Sequence, residues 1–548
     1  MILKRCTIAL LLVTLAVPSQ AQFWKKKGNA EPKADTTSIR GLQRFEEVLG
    51  LIDANYVTTP DCDKLSETAI NSILKELDPH SMYIPAKDVA RANEGLQGNF
   101  EGVGISFQIV KDTIVVSDVI AGGPSERVGI AIGDKFIKIN DTAATGDSIN
   151  NSFVTKHLRG KKGSKVVVEM LRGKKTYTFT IVRDKIPIYS IDSHFMVDDT
   201  IGYIRLIRFS RTSVSEFHKA LSELKKEGMT ALILDLRGNT GGFLDIACGM
   251  ANEFLNAGSL LVYTEGRMSK RQNFVANRSG NFRTGRLVVL IDENSASASE
   301  IVSGAIQDWD RGTIVGRRSF GKGLVQRMFP LKDGGQVRIT TARYYTPSGR
   351  CIQKPYDSGT DEYRKDIAQR LEQGELVNAD SVHFPDSLLF KTKGGRTVYG
   401  GGGIMPDVFV PMDTVRLTDH FIAIRGKGLI NTFPAQWADK HRGDSLVADF
   451  DLYLKHYGQL HIDSLFNEAC VAEKISPDST YLTDTADWQQ MRYKKSAEYL
   501  ALLLKAQVAR NLFGAEYYYL VMRDIDEGYQ KAVAVLREKP KFQNLQRK

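Results

Sequence analysis

The chain is 548 residues long, 42% hydrophobic and 25% charged, with a formal net charge of +10. That length asks for several domains, and the composition is that of a globular protein with real cores, which excludes a disordered chain. A positive excess this small, spread over so many residues, demands no nucleic-acid partner, although it would favour an anionic envelope surface.

Lys4 and Arg5 precede an apolar run from Ile8 to Val17, and Pro18-Ser-Gln-Ala21 follows with small residues. This is the pattern of a secretory signal over residues 1–21. The run is too short to span a bilayer comfortably, so a retained anchor is the weaker reading. Cys6 precedes the run and is not placed for lipid attachment. Removal of the signal takes away the two positive charges of Lys4 and Arg5 and lowers the formal charge from +10 to +8. No later stretch reaches spanning length, so the mature protein is expected to be exported and soluble, in the periplasm or cell envelope. Export permits disulfides, but Cys62, Cys248, Cys351 and Cys470 are widely spaced and free thiols are an equal alternative. No His and Cys cluster has metal-ligand spacing.

A polar, lysine-bearing stretch over 22–38 reads as flexible. From 39 to 97 helical spacing dominates: Leu42, Phe45, Val48, Leu49 and Ile52, then Leu65, Ala69, Ile70, Ile73 and Leu74. The turn Leu77-Asp-Pro-His-Ser-Met82 ends it. Over 98–185 the pattern changes to short strands, at 104–110, 113–119, 135–139, 165–171 and 176–182, separated by glycine-rich turns. Over 186–412 strands and helices alternate. Strands are predicted at 201–206, 231–236, 288–291 and 336–345, and helices at 214–224 and 245–255. From 413 to 548 helical periodicity returns without a chemical motif, which makes a structural or partner-binding helical extension the default.

The segment Asn294-Ser-Ala-Ser-Ala-Ser-Glu300, followed by Phe320-Gly-Lys-Gly-Leu-Val-Gln326, carries the chemistry. A serine hydroxyl attacks a carbonyl poorly unless a neighbouring base takes its proton. Lysine serves as that base only when its pKa falls well below about 10.4, which burial among Phe320, Leu324 and Val325 would achieve. Gln326 would orient the amine without adding charge. Each piece also has a plainer reading: Ser297 and Glu300 fit a helix-opening capping box, and Phe-Gly-Lys-Gly is often a tight turn with a solvated lysine. The two readings are compatible, because a strand over 288–291 delivering a serine turn onto a helix start exposes free N–H groups beside the hydroxyl. The loop Asp235-Leu-Arg-Gly-Asn-Thr-Gly-Gly242 between strand and helix is either a flexible joint or a rigid turn whose N–H groups face the nucleophile.

Phe100-Glu-Gly-Val-Gly-Ile105 and Gly122-Gly-Pro-Ser-Glu-Arg-Val-Gly-Ile-Ala-Ile-Gly-Asp134, with the strands around them, resemble a PDZ domain. In that family a glycine-rich loop captures a terminal carboxylate while the peptide adds as a strand to a sheet edge. The residues matching that loop are Gly102, Val103, Gly104 and Ile105. Together with the serine and lysine motifs, the region from Ile39 to Met412 resembles the carboxyl-terminal processing peptidases, or tail-specific proteases, of the serine–lysine type.

The resemblance implies a multidomain α/β fold: a crotonase/ClpP-like α/β protease core with an inserted PDZ β-domain, an N-terminal helical segment and a C-terminal helical extension. By it Ser297 is the nucleophile, Lys322 the base and Gln326 its orienting partner. Ser295 and Ser299 are structural. The oxyanion donors are the N–H of Ala298 and one from the Gly241-Gly242 turn, with the choice of glycine open. The implied reaction is endopeptidase cleavage near the C-terminus of proteins with exposed tails, with no metal or organic cofactor. An envelope adaptor and the oligomeric state are left open. Two other classes compete. A Ser-His-Asp hydrolase is disfavoured because no histidine lies between His218 and His383. A non-catalytic envelope PDZ scaffold would leave Ser297, Lys322 and Gln326 without a joint purpose.

Overall fold

The computed structural model describes residues 36–110, 112–120, 122–475 and 487–538. The expected signal over 1–21 and most of the expected flexible stretch over 22–38 lie outside them. The chain divides into a short unit ending at Ile70 and a large unit from Asn71. Helix α1 (Thr36–Asn55) and the start of α2 (Cys62–Leu77) make up the first, where helical spacing predicted them. Pro79 stops α2 by removing a backbone donor, and the buried Asp78 carboxylate accepts from the His80 and Ser81 amides, each at 2.8 Å. The chain then differs from the all-helical expectation. Strand β1 (Met82–Ile84) adds to a sheet of the large unit before α3 (Ala86–Gln97) begins. That helix ends at Gly98, whose φ of 73° only glycine adopts freely.

Next come β2 (Asn99–Gly102), β3 (Ile105–Val110), β4 (Thr113–Val119), the short α4 (Pro124–Arg127), β5 (Lys135–Ile139), β6 (Thr142–Ala143), α5 (Asn151–Leu158), β7 (Lys165–Arg172), β8 (Lys175–Val182) and β9 (Asp184–Pro187). The sheet runs β3-β4-β5-β7-β8, with β6 on β5, and β2 pairs β9. Alternating inward residues such as Val166, Val168 and Met170 close on Ile114, Phe136, Val154 and Leu158 to form its core. Strand β3 stands at the edge of this sheet, beside the Gly102–Ile105 loop.

The large sheet follows the order β10 (Ile191–Met196), β11 (Ile201–Leu206), β12 (Ala231–Asp235), β15 (Arg286–Ile291), β16 (Thr313–Gly316), β21 (Val408–Phe409), parallel from β11 onward. Helices α6 (Ser213–Lys226), α7 (Leu244–Asn252) and α8 (Ala298–Asp308) complete its strand-helix alternation. Strand β12 is buried along its whole length because the sheet is covered on both sides. Leu232 and Leu234 join Phe217, Phe254 and Val302 on one face, while Ile233 joins Val288, Tyr529, Val533 and Leu536 on the other. A second sheet, β1-β18-β13-β14 with β17 on β18, is built from β13 (Leu260–Glu265), β14 (Gln272–Val275), β17 (Leu324–Pro330) and β18 (Gln336–Tyr345).

Helix α9 (Thr360–Glu372) and the hairpin β19 (Leu389–Lys391) and β20 (Thr397–Tyr399) follow. The remainder is α10 (Asp419–Gly426), α11 (Leu429–His441), α12 (Phe450–His456), α13 (Ile462–Ala472), the 27-residue α14 (Asp487–Phe513), α15 (Ala515–Met522) and α16 (Glu527–Arg537). The expected boundary at Met412 does not separate all of these from the core. Tyr529, Ala532, Val533 and Leu536 recur at helical spacing on α16 and cover one face of the large sheet. Among the described residues no helix is long and apolar enough to cross a membrane. Among the described residues Cys62, Cys248, Cys351 and Cys470 form no disulfide.

Candidate active site

Strand β15 ends in a turn over 292–297 that is held from below by its own small side chains. Ser295 Oγ donates to Leu236 O at 2.8 Å, and Ser299 Oγ to Asn239 O at 2.7 Å. Both serines are fully buried, as their structural reading implied. Asn239 O also takes the Ala296 amide at 3.0 Å. The turn leaves Ser297 at φ 55° and ψ −108°. That conformation costs a non-glycine residue about 1–3 kcal/mol and persists only where its surroundings enforce it. Helix α8 starts at the next residue, and the Glu300 carboxylate reaches back to the Ser297 amide at 2.7 Å, the acidic half of the expected capping box.

Glu300 does more than cap. It is completely buried, and its Oε1 accepts from Ser319 Oγ at 2.5 Å and the Gly321 amide at 2.7 Å, while Oε2 takes the Lys322 amide at 2.9 Å besides that of Ser297. One carboxylate therefore fixes the serine turn against the lysine turn. Burial pushes its pKa up to about 7, against the pull of those four donors. Phe320 N on Ser295 O, at 3.0 Å, ties the same two turns a second time.

The lysine turn and the serine turn share a further clamp, since Tyr344 Oη donates to the Lys322 carbonyl at 2.7 Å and to that of Ser297 at 3.1 Å. The Lys322 ammonium donates to Gln326 Oε1 at 3.2 Å. Burial lowers the lysine pKa, Asp78 and Glu300 oppose that, and the nearby Arg338 charge adds to the lowering. A bulge at Thr341 shifts the β17–β18 register between Val325 and Gln326, which re-aims Gln326 toward the lysine. Gln326 Nε2 in turn donates to the His80 carbonyl. The His80 ring Nε2 meets Tyr363 Oη at 2.9 Å, and burial, with Lys322 close by, lowers its pKa to about 3.

Ser297, Lys322 and Gln326 line one cavity of about 280 Å³, together with Gly241, Gly242, Leu324, Val325 and Arg338. No histidine lines it. Gly241 has a φ of 104°, and a Cβ there would lie 2.9 Å from both Ala296 O and Ser297 Cβ. Its amide is occupied by Asn239 Oδ1 at 2.9 Å. Gly242 is clamped on Phe209, which bonds to Gly241 and Phe243 on either side, so the Gly242 amide has no protein acceptor among the described residues. The Ala298 amide, at the first position of α8, is likewise without one. The loop 235–242 is thus a fixed turn, not a flexible joint.

In the small β-domain, Val103 O accepts from the Ser125 amide and hydroxyl, and Gly104 O from the Ile120 amide, so the Gly102–Ile105 loop is anchored through its carbonyls. Gly104 needs its φ of 77° to make that turn.

Sequence reasoning missed several contributors. Glu300 was seen only as a cap and Asn239 only as a loop residue. Asp78 and His80 were seen only as a helix stop, and Arg338 not at all. Pro79 beside an Asp and a Ser was a signal of a structured turn, but nothing in it named Gln326 as the partner.

Residues 200–361 match the family model of peptidase family S41, and residues 102–182 that of the PDZ domain. A carboxy-terminal-processing protease of Bartonella bacilliformis is 37% identical over 413 residues, which cover 73% of this chain and 92% of that protein. The chain belongs to the carboxy-terminal-processing proteases. It is a serine-type peptidase of the S41 fold with an inserted PDZ domain. A probable CtpA-like serine protease of Staphylococcus aureus (strain N315) is 33% identical over 320 residues, or 58% of this chain and 63% of that one. Among solved structures, a photosystem II D1 C-terminal processing protease is 26% identical over 68% of this chain and 93% of its own, with a TM-score of 0.35.

Proposed function

We propose that this carboxy-terminal-processing protease cleaves exported proteins near their C-termini by a serine–lysine mechanism. Neutral Lys322 takes the proton from Ser297 Oγ as that oxygen attacks the scissile carbonyl. The oxyanion is received by the amides of Ala298 and Gly242, Gly241 being committed to Asn239. Protonated Lys322 returns the proton to the leaving amine, and water then releases the acyl group with Lys322 again as base. Gln326, fixed by the His80 carbonyl, keeps the lysine amine pointed without stabilising its charged form as a carboxylate would.

What supports this reading is the lining of one cavity by Ser297, a half-buried Lys322 and a neutral Gln326, with Glu300 locking the two turns together. The Gly102–Ile105 loop and the β3 edge would receive the free tail. The N-terminal signal pattern supports export, with envelope proteins as substrates. The experiment is cleavage of a reporter with a disordered apolar tail by the wild-type enzyme and by Ser297→Ala and Lys322→Ala, with product termini read by mass spectrometry. Each substitution should abolish cleavage, and the pair together should cost no more than either alone. Near wild-type cleavage by folded Ser297→Ala would sink the assignment, and fractionation that leaves the enzyme in the cytoplasm would refute its envelope location.

A further inference from the structure

Arg338 is a second cation in the same cavity, and no carboxylate lines it. Strand register puts Arg338 opposite Met328, and Thr340 opposite Gln326. Arg338 therefore stands on the face that carries Gln326, about 7 Å along the strand. Its Nη2 donates to two uncharged acceptors on α3, Ala92 O at 3.1 Å and Asn93 Oδ1 at 3.0 Å. Its Nε is buried without a partner among the described residues. Arg205, Arg237, Arg317, Arg318, Arg350 and Arg396 each meet a carboxylate, whereas Arg338 has none among the described residues.

A guanidinium left half-bonded in a partly desolvated cleft is short of one interaction, and its natural complement is a carboxylate bound in a forked geometry. We propose that Arg338 is a specificity-determining residue, receiving a carboxylate of the bound polypeptide close to the scissile bond. The proposal rests on the reading of this cavity as the catalytic cleft. The carboxylate comes either from an acidic side chain or from the polypeptide's own terminus, and the geometry serves both. A lysine at that substrate position would meet two cations, Arg338 and the proton-carrying form of Lys322, and be rejected. The same carboxylate, once bound, favours charged Lys322, so acidic substrates should show the acid limb of their pH–rate profile at higher pH than neutral ones.

The test is a set of reporter peptides in which Asp, Asn or Lys is walked through the positions flanking the scissile bond, each made with a free and an amidated terminus. In the wild-type enzyme one position should favour Asp over Asn by about tenfold in kcat/KM, mostly through KM. A gain that persists after amidation identifies a side-chain carboxylate, and one that vanishes identifies the terminus. In Arg338→Gln the Asp/Asn ratio should fall to about one, and in Arg338→Glu the preference should turn toward Lys. A flat wild-type profile overturns the proposal without recourse to variants, as does an Asp preference that survives both substitutions. Labelling of Ser297 by a fluorophosphonate in each protein separates the two levels: a labelled enzyme with a flat profile loses only the role of Arg338, and an unlabelled wild-type loses the cleft itself.

Discussion

Glu300→Gln keeps the shape of the side chain and removes one of its two acceptors. Glu300 serves four donors, the Ser319 hydroxyl and the Gly321 amide on one oxygen, the Ser297 and Lys322 amides on the other. The glutamine oxygen best serves Ser297 and Lys322. Its amino group then faces Ser319 Oγ, which can rotate to accept, and the Gly321 N–H, which cannot. One buried donor is orphaned at a cost of about 1–3 kcal/mol, and two charge-assisted bonds become weaker neutral ones. Relief of a buried charge returns part of this, so the net loss should be about 2–3 kcal/mol. Because the same bonds set the spacing of Ser297 and Lys322, a displacement of about 1 Å would lower kcat on the order of 100-fold. Thermal denaturation and peptide turnover measure both. The pH dependence adds a control. With its folded pKa raised from 4.5 to about 7, Glu300 gives stability that is fully present below the lower value and lost as pH rises through the upper one. The variant should lack that slope. A midpoint within about a degree of wild type, with turnover within about twofold, would refute the argued role of this carboxylate.

Three further outcomes are expected. Ser297→Gly and Ser297→Ala should both be inactive, but the glycine variant should be the more stable by about 1 kcal/mol or more, since only alanine retains the cost of the positive φ at this position. Equal denaturation midpoints would count against strain at this turn. Lys322→Met should raise the midpoint at pH 7, because burial lowers the lysine pKa and so disfavours its charged form in the fold. That gain should fade as pH rises through the lowered folded value and be gone above the unfolded value of about 10.4. Gly241→Ala should reduce kcat at least about tenfold with little change in KM, because its Cβ would press on Ala296 O and Ser297 Cβ. Wild-type turnover would show that the two turns are not in the contact described.

Much of the fold was legible because its signals are local. The strands over 113–119, 135–139 and 336–345 appear at the expected limits, each bounded by glycine or polar turns that end the alternation. Ser297, Lys322 and Gln326, which line one cavity, could be picked out because they lie in two short motifs close together in the chain. What escaped depends on long-range pairing. Asp78 and His80 reach the site only because β1 pairs with β18, far along the chain. Glu300 has a good local explanation as a cap, which hid its bonds to the lysine turn. Asp526 was unreadable for the same reason as β1: its ion pair with Arg237, at 2.7 Å, joins the N-cap of α16 to the end of β12. The proposed choice of Gly242 over Gly241 as oxyanion donor rests on the Asn239 side chain, which accepts from the Gly241 amide and which no spacing rule supplies.

The most direct test of the account is the site and pH dependence of covalent capture by a fluorophosphonate, mapped by peptide mass spectrometry on the full chain. A single adduct is expected on Ser297, formed at a rate that rises with pH through a base whose pKa lies below that of free lysine, and lost in Lys322→Ala. An adduct on another serine, or capture at Ser297 with an unchanged pH profile after Lys322 is removed, would contradict it.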